Sequence, residues 1–450
     1  MESYLDTYRR KTVLSERFFK RAREVMPGGV CHNMHYFSPH PLYVKGAQGP
    51  KFWDLDGNEY VDLWMGNYTH ILGHRSEVIV EAVERQLKEG IHWGLAFEKQ
   101  VEWAELVKEL LPCAEMVRFC CSGTEATMYA VRMARSWTGK KMILKMGGGW
   151  HGANTDLSLG IKWPFEMEES EGIPPELQQY ARAIPFNDVQ GSLEIITRVK
   201  DDLAAVILEP SMGESGFVPA SHDYLKMLRS ETEKLGALLI FDEVITGFRL
   251  SLGGAQQRLG MTPDLTTLGK IVGGGLPVGA VAGRKEIIEK SAPDRKVKKS
   301  ERTLVGGGTF SSHPLTSAAG LAMIHYLRDH ADEIYPLLET RGQKIREGIE
   351  GAMRRHGVRV SVTGVGSLFQ THFPHREGET LNSPQALYRL TDTDKREGEF
   401  RIRMLNNGVH VVHGGGGLSI AHSDREIQRI IEVAGSVARE MAAEADKQKS

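Results

Sequence analysis

Ala237-Leu238-Leu239-Ile240-Phe241-Asp242-Glu243-Val244 and, further along, Thr267-Leu268-Gly269-Lys270-Ile271-Val272-Gly273-Gly274-Gly275 decide how this sequence folds. The first is an unbroken apolar run that stops on a carboxylate, the pattern of a strand buried on both faces. The second sets one lysine between an apolar segment and three glycines, which allow a backbone to come close to another group. Both lie in a region, about residues 77–330, where amphipathic segments (77–89, 98–110, 124–137, 188–199, 221–235) alternate with short apolar runs (116–120, 142–144, 204–208, 237–241). This alternation predicts an α/β region with a mainly parallel sheet covered on both faces. In such sheets ligands bind beyond the carboxyl ends of the strands. The chemistry-bearing residues follow the apolar runs: Ser122-Gly123-Thr124, Trp150-His151, Glu209 and Asp242.

The flanks read differently. Residues 5–26 are charged and helix-prone and stop at Met26-Pro27-Gly28-Gly29. Pro41-Leu42-Tyr43-Val44, Lys51–Leu55 and Glu59–Leu63 read as short strands, with a hairpin turn at Asp56-Gly57. Beyond a long helix near 313–329, a helix over 332–355, strands at 359–362 and 366–373, a helical stretch to about 406 and a final helix over 423–446 predict a smaller α+β domain. The expected organisation is residues 1–65 as an N-terminal helix and small sheet packing with the C-terminal domain, 66–330 as the large domain, and 331–450 as the small domain.

Composition excludes several classes. The 450 residues are 41% hydrophobic and 25% charged, ordinary globular values, with a net charge of −2 that gives no electrostatic case for nucleic acid or an anionic membrane. No apolar run reaches membrane-spanning length. The start Met1–Asp6 lacks the basic and apolar segments of a signal peptide. Cys31, Cys113, Cys120 and Cys121 follow neither disulfide nor zinc spacing, so a reducing cytoplasm and no metal are expected.

Each candidate residue has a chemical and a plain reading. Partly desolvated, Lys270 has a lowered pKa and can attack an aldehyde cofactor as a nucleophile; otherwise it is a loop lysine. Asp242 at a buried strand end needs a partner, either a protonated ring nitrogen or a structural arginine or backbone donors. Ser122-Gly123-Thr124 at a helix start suits a phosphate, or simply caps the helix. Trp150 among glycines can stack on a flat ring or fill the core, and His151 supports that ring or a loop. Gly147–Gly152 formally matches Gly-x-Gly-x-x-Gly but opens no convincing helix, and neither a nucleotide P-loop nor His-Glu-x-x-His nor Gly-x-Ser-x-Gly occurs.

Taken in order, Ser122-Gly123-Thr124-Glu125-Ala126, Trp150-His151-Gly152, Glu209-Pro210, Asp242–Arg249, Gly269-Lys270 and Gly308-Thr309-Phe310 resemble the class III, pyridoxal-phosphate-dependent aminotransferases of fold type I. The resemblance runs from about residue 25 to 440 and leans toward the glutamate-1-semialdehyde aminomutase branch, which also holds β-phenylalanine and D-phenylglycine aminotransferases. It implies that Lys270 forms the Schiff base with pyridoxal 5'-phosphate and shuttles the proton. Asp242 pairs with the pyridinium, Val244 and Trp150 cover the two ring faces, and Glu209 supports the site near the ring hydroxyl. Ser122, Gly123 and Thr124 hold the phosphate. Thr309 reaches the phosphate of a neighbouring subunit, implying a homodimer with shared active sites.

Three departures bear on substrate. Trp150 stands where the family carries tyrosine. The segment Ile161–Glu169 is bulky and acidic where aminomutases carry a glycine- and serine-rich gate. His413-Gly414-Gly415-Gly416-Gly417 carries no arginine where many relatives clamp a carboxylate, and Cys31–Tyr36 carries histidines instead. These departures favour an aminotransferase that moves an amino group from an amino acid or amine donor to a 2-oxo acid acceptor by a ping-pong route. Glutamate-1-semialdehyde 2,1-aminomutase is the alternative. A cofactor-binding transcription regulator is disfavoured, because no segment is left over for a DNA-binding module.

Overall fold

The computed structural model describes residues 3–166, 170–306 and 308–449. Its chain divides into two compact units, one made of residues 77–336 and 380–389 and the other of residues 1–76, 337–379 and 390–450.

The first unit is built on a seven-stranded sheet in the order Met116–Cys120, Gly279–Gly283, Leu265–Gly269, Leu238–Asp242, Leu203–Leu208, Met142–Met146, Ala181–Ile184. Six strands run one way, and Gly279–Gly283 runs against both neighbours. The sheet is therefore mixed and mostly parallel, an α/β fold of type I. Leu203–Leu208 and Leu238–Asp242 are buried at every position, as expected of strands covered on both faces. Helix Gly123–Thr138 starts at Ser122, whose side chain accepts from Glu125 N, and ends at Gly139 in the left-handed conformation. Its buried Ala126, Ala130 and Ala134 recur every four residues and join a core with Ala205, Ile207, Ile240 and Val281. Small side chains at this spacing bring the helix close to the sheet. Each fully buried isoleucine contributes about 1.5–3 kcal/mol.

The helices Glu77–Glu89, Glu98–Leu110, Val189–Val199 and His222–Leu235 fall where the periodicity places them. The sequence pattern names four of the seven strands and passes over three. Gly279–Gly283, sequence GAVAG, shows why. It is fully buried, yet its side chains are small because its neighbours leave no room: a Cβ on Gly279 would lie 1.9 Å from Ser122 O. Close packing has removed the apolar bulk that marks a strand in sequence.

In the second unit the expected N-terminal helix is two helices, Tyr4–Lys11 and Val13–Arg23. Thr12 breaks them by turning its hydroxyl to Tyr8 O (2.7 Å) and His40 Nε2 (2.9 Å), and Asp56 receives the freed Leu14 and Ser15 amides at 2.7 and 3.1 Å. Val44–Gln48, Lys51–Asp54 and Glu59–Asp62 form an antiparallel sheet that Val409–His410 joins in parallel. A second sheet contains Ser361–Val365, Leu368–His372 and Gly415–Gly417.

Asp62 joins these elements. Its carboxylate meets His74 Nε2 at 2.7 Å and His410 Nδ1 at 2.9 Å, and accepts from Trp64 and Met65 amides. Buried His422 donates from Nε2 to the Asp62 carbonyl, while its Nδ1 accepts from the Ser419 amide. Burial pushes the His422 imidazole down to about 4. The folded state therefore keeps His422 neutral while the unfolded chain protonates it near pH 6.5. Its contribution to stability is complete above that pH and is lost as pH falls toward 4. Replacement His422→Gln is expected to flatten the fall of unfolding free energy between pH 6.5 and 4.5 by up to about 1.4 kcal/mol per pH unit. Urea titrations across that range measure this, and an unchanged slope would exclude proton linkage at His422.

Candidate active site

Asp242 closes the strand Leu238–Asp242 and lies in register with Thr267 of the adjacent parallel strand. Parallel pairing therefore delivers the Thr267 hydroxyl to Asp242 Oδ1 at 3.0 Å, and the Val244 amide donates to the same oxygen at 3.1 Å. The other oxygen, Oδ2, meets His151 Nδ1 at 2.7 Å. Asp242 is only 4% exposed. Burial lowers the His151 pKa while Asp242 raises it, and burial prevails. His151 Nε2 is buried with no hydrogen-bond partner among the described residues.

Lys270 follows the neighbouring strand end Leu265–Gly269, with φ of 51°. A non-glycine residue in this left-handed region carries strain of about 1–3 kcal/mol, so the surrounding packing fixes it there. Burial lowers the Lys270 pKa against the opposing pull of Asp242, Glu209 and Glu214. The result is an amine more available as base or nucleophile than a solvated lysine. Val244 sits between Gly123 and Gly269: Cβ atoms there would lie 3.0 Å and 3.1 Å from its methyl groups.

Ser122 caps the helix through Glu125 N at 3.2 Å, and the Glu125 carboxylate accepts from Cys121 N at 2.6 Å. The capping role weighed from sequence is thus present. It leaves Ser122, Gly123 and Thr124 only partly buried, at an end whose first amides carry partial positive charge. Thr124 Oγ1 accepts from Ala153 N at 3.3 Å, tying this end to the loop that carries His151.

Trp150 is 41% exposed, so it is no core tryptophan; its amide donates to Glu209 Oε1 at 2.9 Å, and Gly213 N donates to Oε2 at 3.0 Å. Burial and the charge of Asp242 outweigh those donors and push Glu209 up to about 8. Thr309 is exposed on the turn that also carries Ser311, whose hydroxyl faces Cys121 Sγ at 3.9 Å.

Two residues that hold this arrangement carry no motif. Thr267 is a polar residue in an apolar run, and only its register assigns it to Asp242. Lys145 is fully buried and donates to the carbonyls of Gly149, Leu157 and Leu159 at 2.7–3.2 Å, holding the loop of Trp150 and His151. The signal for it was a lone charge inside Met142–Met146.

In the segment after this loop, Met167, Glu168 and Glu169 lie outside the described residues. Of the other residues of this segment Phe165 is 5% exposed and packs edge-on against Tyr388 at 5.5 Å, whereas Lys162, Trp163 and Pro164 are exposed. Among the described residues no group of three or more His, Cys, Asp or Glu is arranged to hold a metal, and no helix is long and apolar enough to cross a membrane.

The donor set defines what fits. Asp242 is buried with only neutral donors and calls for a cation. An unpartnered imidazole nitrogen lies next to it, a lysine of lowered pKa ends the adjacent strand, and an anion-favouring helix start follows Cys120. A phosphorylated aldehyde with a basic ring nitrogen meets all of these.

The sequence pattern of the family Aminotransferase class-III matches residues 34–416. A glutamate-1-semialdehyde 2,1-aminomutase of Thermodesulfovibrio yellowstonii is 36% identical over 96% of this chain and 100% of its own. Among solved structures, an omega-transaminase from Sphaerobacter thermophilus is 34% identical, covers 97% of this chain and 100% of its own, and superposes with a TM-score of 0.88. A transaminase with pyridoxal phosphate bound is 32% identical with a TM-score of 0.87, over 96% of this chain and 99% of its own.

These relatives overturn the expectation of an aminotransferase with separate amino donor and 2-oxo acid acceptor. Eight curated relatives, 36–38% identical over nearly the whole chain, are all described as glutamate-1-semialdehyde 2,1-aminomutases. The physical basis of the misreading lies in the bulky 161–165 segment. Its size suggested a different gate, yet Phe165 closes against its neighbours by apolar packing. By sequence pattern, fold and the residues gathered at its strand ends, the chain belongs to the class-III aminotransferase family, and its cofactor is pyridoxal phosphate.

Proposed function

We propose that this chain is a glutamate-1-semialdehyde 2,1-aminomutase, exchanging the positions of amine and carbonyl on adjacent carbons of one substrate. The observation that carries this reading is the likeness, end to end, to eight relatives of that description.

When bound, pyridoxal phosphate supplies an electrophilic carbonyl and a ring that accepts the electron pair of a broken C–H bond. In the proposed assignment Ser122, Gly123 and Thr124 hold its phosphate through hydroxyls and helix-start amides. Asp242, oriented by His151 and Thr267, would pair with the ring nitrogen and favour its protonated form. Val244 and Trp150 cover the two ring faces, and Glu209 supports the ring hydroxyl. Lys270 would hold the cofactor through its carbonyl carbon and would carry protons to and from the reacting carbons. Burial lowers its pKa, which makes the amine more available as a base than a solvated lysine.

The decisive assay supplies glutamate 1-semialdehyde to the cofactor-loaded enzyme with no amino donor and no oxo-acid acceptor. Conversion to 5-aminolevulinate is expected, with Lys270→Ala slowing it about 10²–10⁴-fold, the usual worth of a positioned acid–base group. Turnover that requires an added donor or acceptor would rule out the aminomutase.

We also propose that Thr309 serves a second copy of the chain. Phe310 beside it is 57% exposed and contacts His92, which lies between exposed Ile91 and Trp93. This apolar surface suits self-association. Sedimentation equilibrium at micromolar concentration is expected to give a dimer; a monomer would remove that role from Thr309.

A further inference from the structure

Between Thr303 and Ser311, of which Gly307 lies outside the described residues, the chain follows one face of the helix Gly123–Thr138 back toward its start. Thr303 Oγ1 donates to Ser136 Oγ at 2.6 Å, Arg132 donates to the Leu304 carbonyl, and beside the helix start Ser311 Oγ meets Cys121 Sγ at 3.9 Å. Ser136, Arg132 and Glu125 share a helix face by their spacing. The run ends in a tight turn, closed by the Ser311 amide donating to the Gly308 carbonyl at 3.0 Å. Thr309 and Phe310 are exposed at its tip.

One internal hydrogen bond does not fix a turn in space; what the turn rests on does. A Cβ on Gly308 would lie 2.8 Å from Cys121 Sγ and 3.3 Å from Glu125 Oε1, so the bare backbone of Gly308 sits directly on the sulfur. Cys121 is held in its turn by the helix start. Its amide donates to Glu125 Oε2 at 2.6 Å, and the Glu125 amide donates to Ser122 Oγ at 3.2 Å. The residues that cap the helix therefore also support the turn. An exposed hydroxyl contributes most to binding when it is already in place, because ordering a mobile turn on association costs conformational entropy.

We propose that Cys121 is the positioning residue for Thr309: its sulfur, with the Glu125 carboxylate beside it, seats the turn Gly308–Ser311 and fixes the hydroxyl that serves the cofactor phosphate of a second copy. The proposal rests on the assignment of Thr309 to that second copy and adds the group that holds Thr309 in place. A defect made in the turn of one chain then weakens the cofactor site of the other chain, while the site of the altered chain keeps its affinity.

The test uses mixed dimers of full-length chains, co-expressed with two different affinity tags and titrated with pyridoxal phosphate. Attachment to Lys270 gives the bound cofactor its visible absorbance, so Lys270→Ala in one chain leaves that signal to the other chain's site. With Gly308→Ala added to the Lys270→Ala chain, the dissociation constant at the unaltered chain's site is expected to rise at least about fivefold, approaching the loss of about tenfold or more expected for Thr309→Ala, which removes a hydrogen bond to a charged group. With Gly308→Ala moved to the chain that keeps Lys270, the constant is expected to stay within about twofold. Adding Cys121→Ala to Gly308→Ala lets the new methyl group take the place of the sulfur, and a large part of the loss is expected to be recovered; a variant that merely disturbs folding would not be recovered in this way. The proposal is overturned if Gly308→Ala weakens its own chain's site instead, if it weakens neither site while Thr309→Ala weakens the partner's, or if Cys121→Ala recovers nothing. An unchanged affinity with Thr309→Ala itself would remove the assignment of Thr309, and the proposal with it.

Discussion

The buried carboxylate of Asp242 is the constraint on which the candidate site depends. It ends a strand that is covered on both faces, so water cannot solvate it, and an isolated charge there is expensive. Three groups from three segments answer it: His151 from the loop after Met142–Met146, Thr267 from the adjoining strand, and the Val244 amide just beyond Asp242 itself. Meeting this demand fixes the loop of Trp150 and His151 from one side while buried Lys145 fixes it from the other. The strand that supplies Thr267 also ends in Lys270. One electrostatic requirement thus positions the proposed nucleophile, the proposed stacking residue and the imidazole. All three donors are neutral hydrogen-bonding groups, and so the site retains a net demand for a cation.

Glu209 shows the same physics from the opposite direction. A second carboxyl group near Asp242 in a dry site holds its proton more firmly, and Glu209 is raised to about 8 despite two backbone donors. Near neutral pH Glu209 therefore adds little negative charge to the site. That suits one positively charged ring better than two independent carboxylates would.

Much of this was legible in the sequence because strand periodicity and strand-end chemistry are local. The Ala237–Phe241 run, the carboxylate after it and the lysine among glycines each carry their meaning within a few residues. What was not legible depends on partners distant in sequence. Gly279–Gly283 hides as a strand because Ser122 leaves no room for side chains. The break at Thr12 comes from Asp56 and His40, which only the folded chain brings near. Cys121 closes an apolar run beside Cys120, and nothing local shows that a turn 190 residues further on rests on its sulfur. The bulky residues near Phe165 were read as an altered gate because composition records size but not where a side chain packs. This last misreading steered the expected reaction, whereas the framework around Asp242 and Lys270 was unaffected by it. Catalytic frameworks are written in short motifs; substrate choice is written in packing.

The most direct measurement of the central claim is the affinity of Asp242→Asn for pyridoxal phosphate, alongside the thermal midpoint of its cofactor-free form. Asparagine keeps the shape and can still hydrogen-bond Thr267 and Val244, but removes the charge. The account expects the dissociation constant to rise at least about a hundredfold, the loss of one partner from a buried ion pair being worth about 3–5 kcal/mol. The cofactor-free protein should stay folded with a midpoint close to that of the unaltered chain. An affinity within about twofold of the unaltered chain, a difference of less than about 0.5 kcal/mol, would contradict the claim that Asp242 is there to hold a cation.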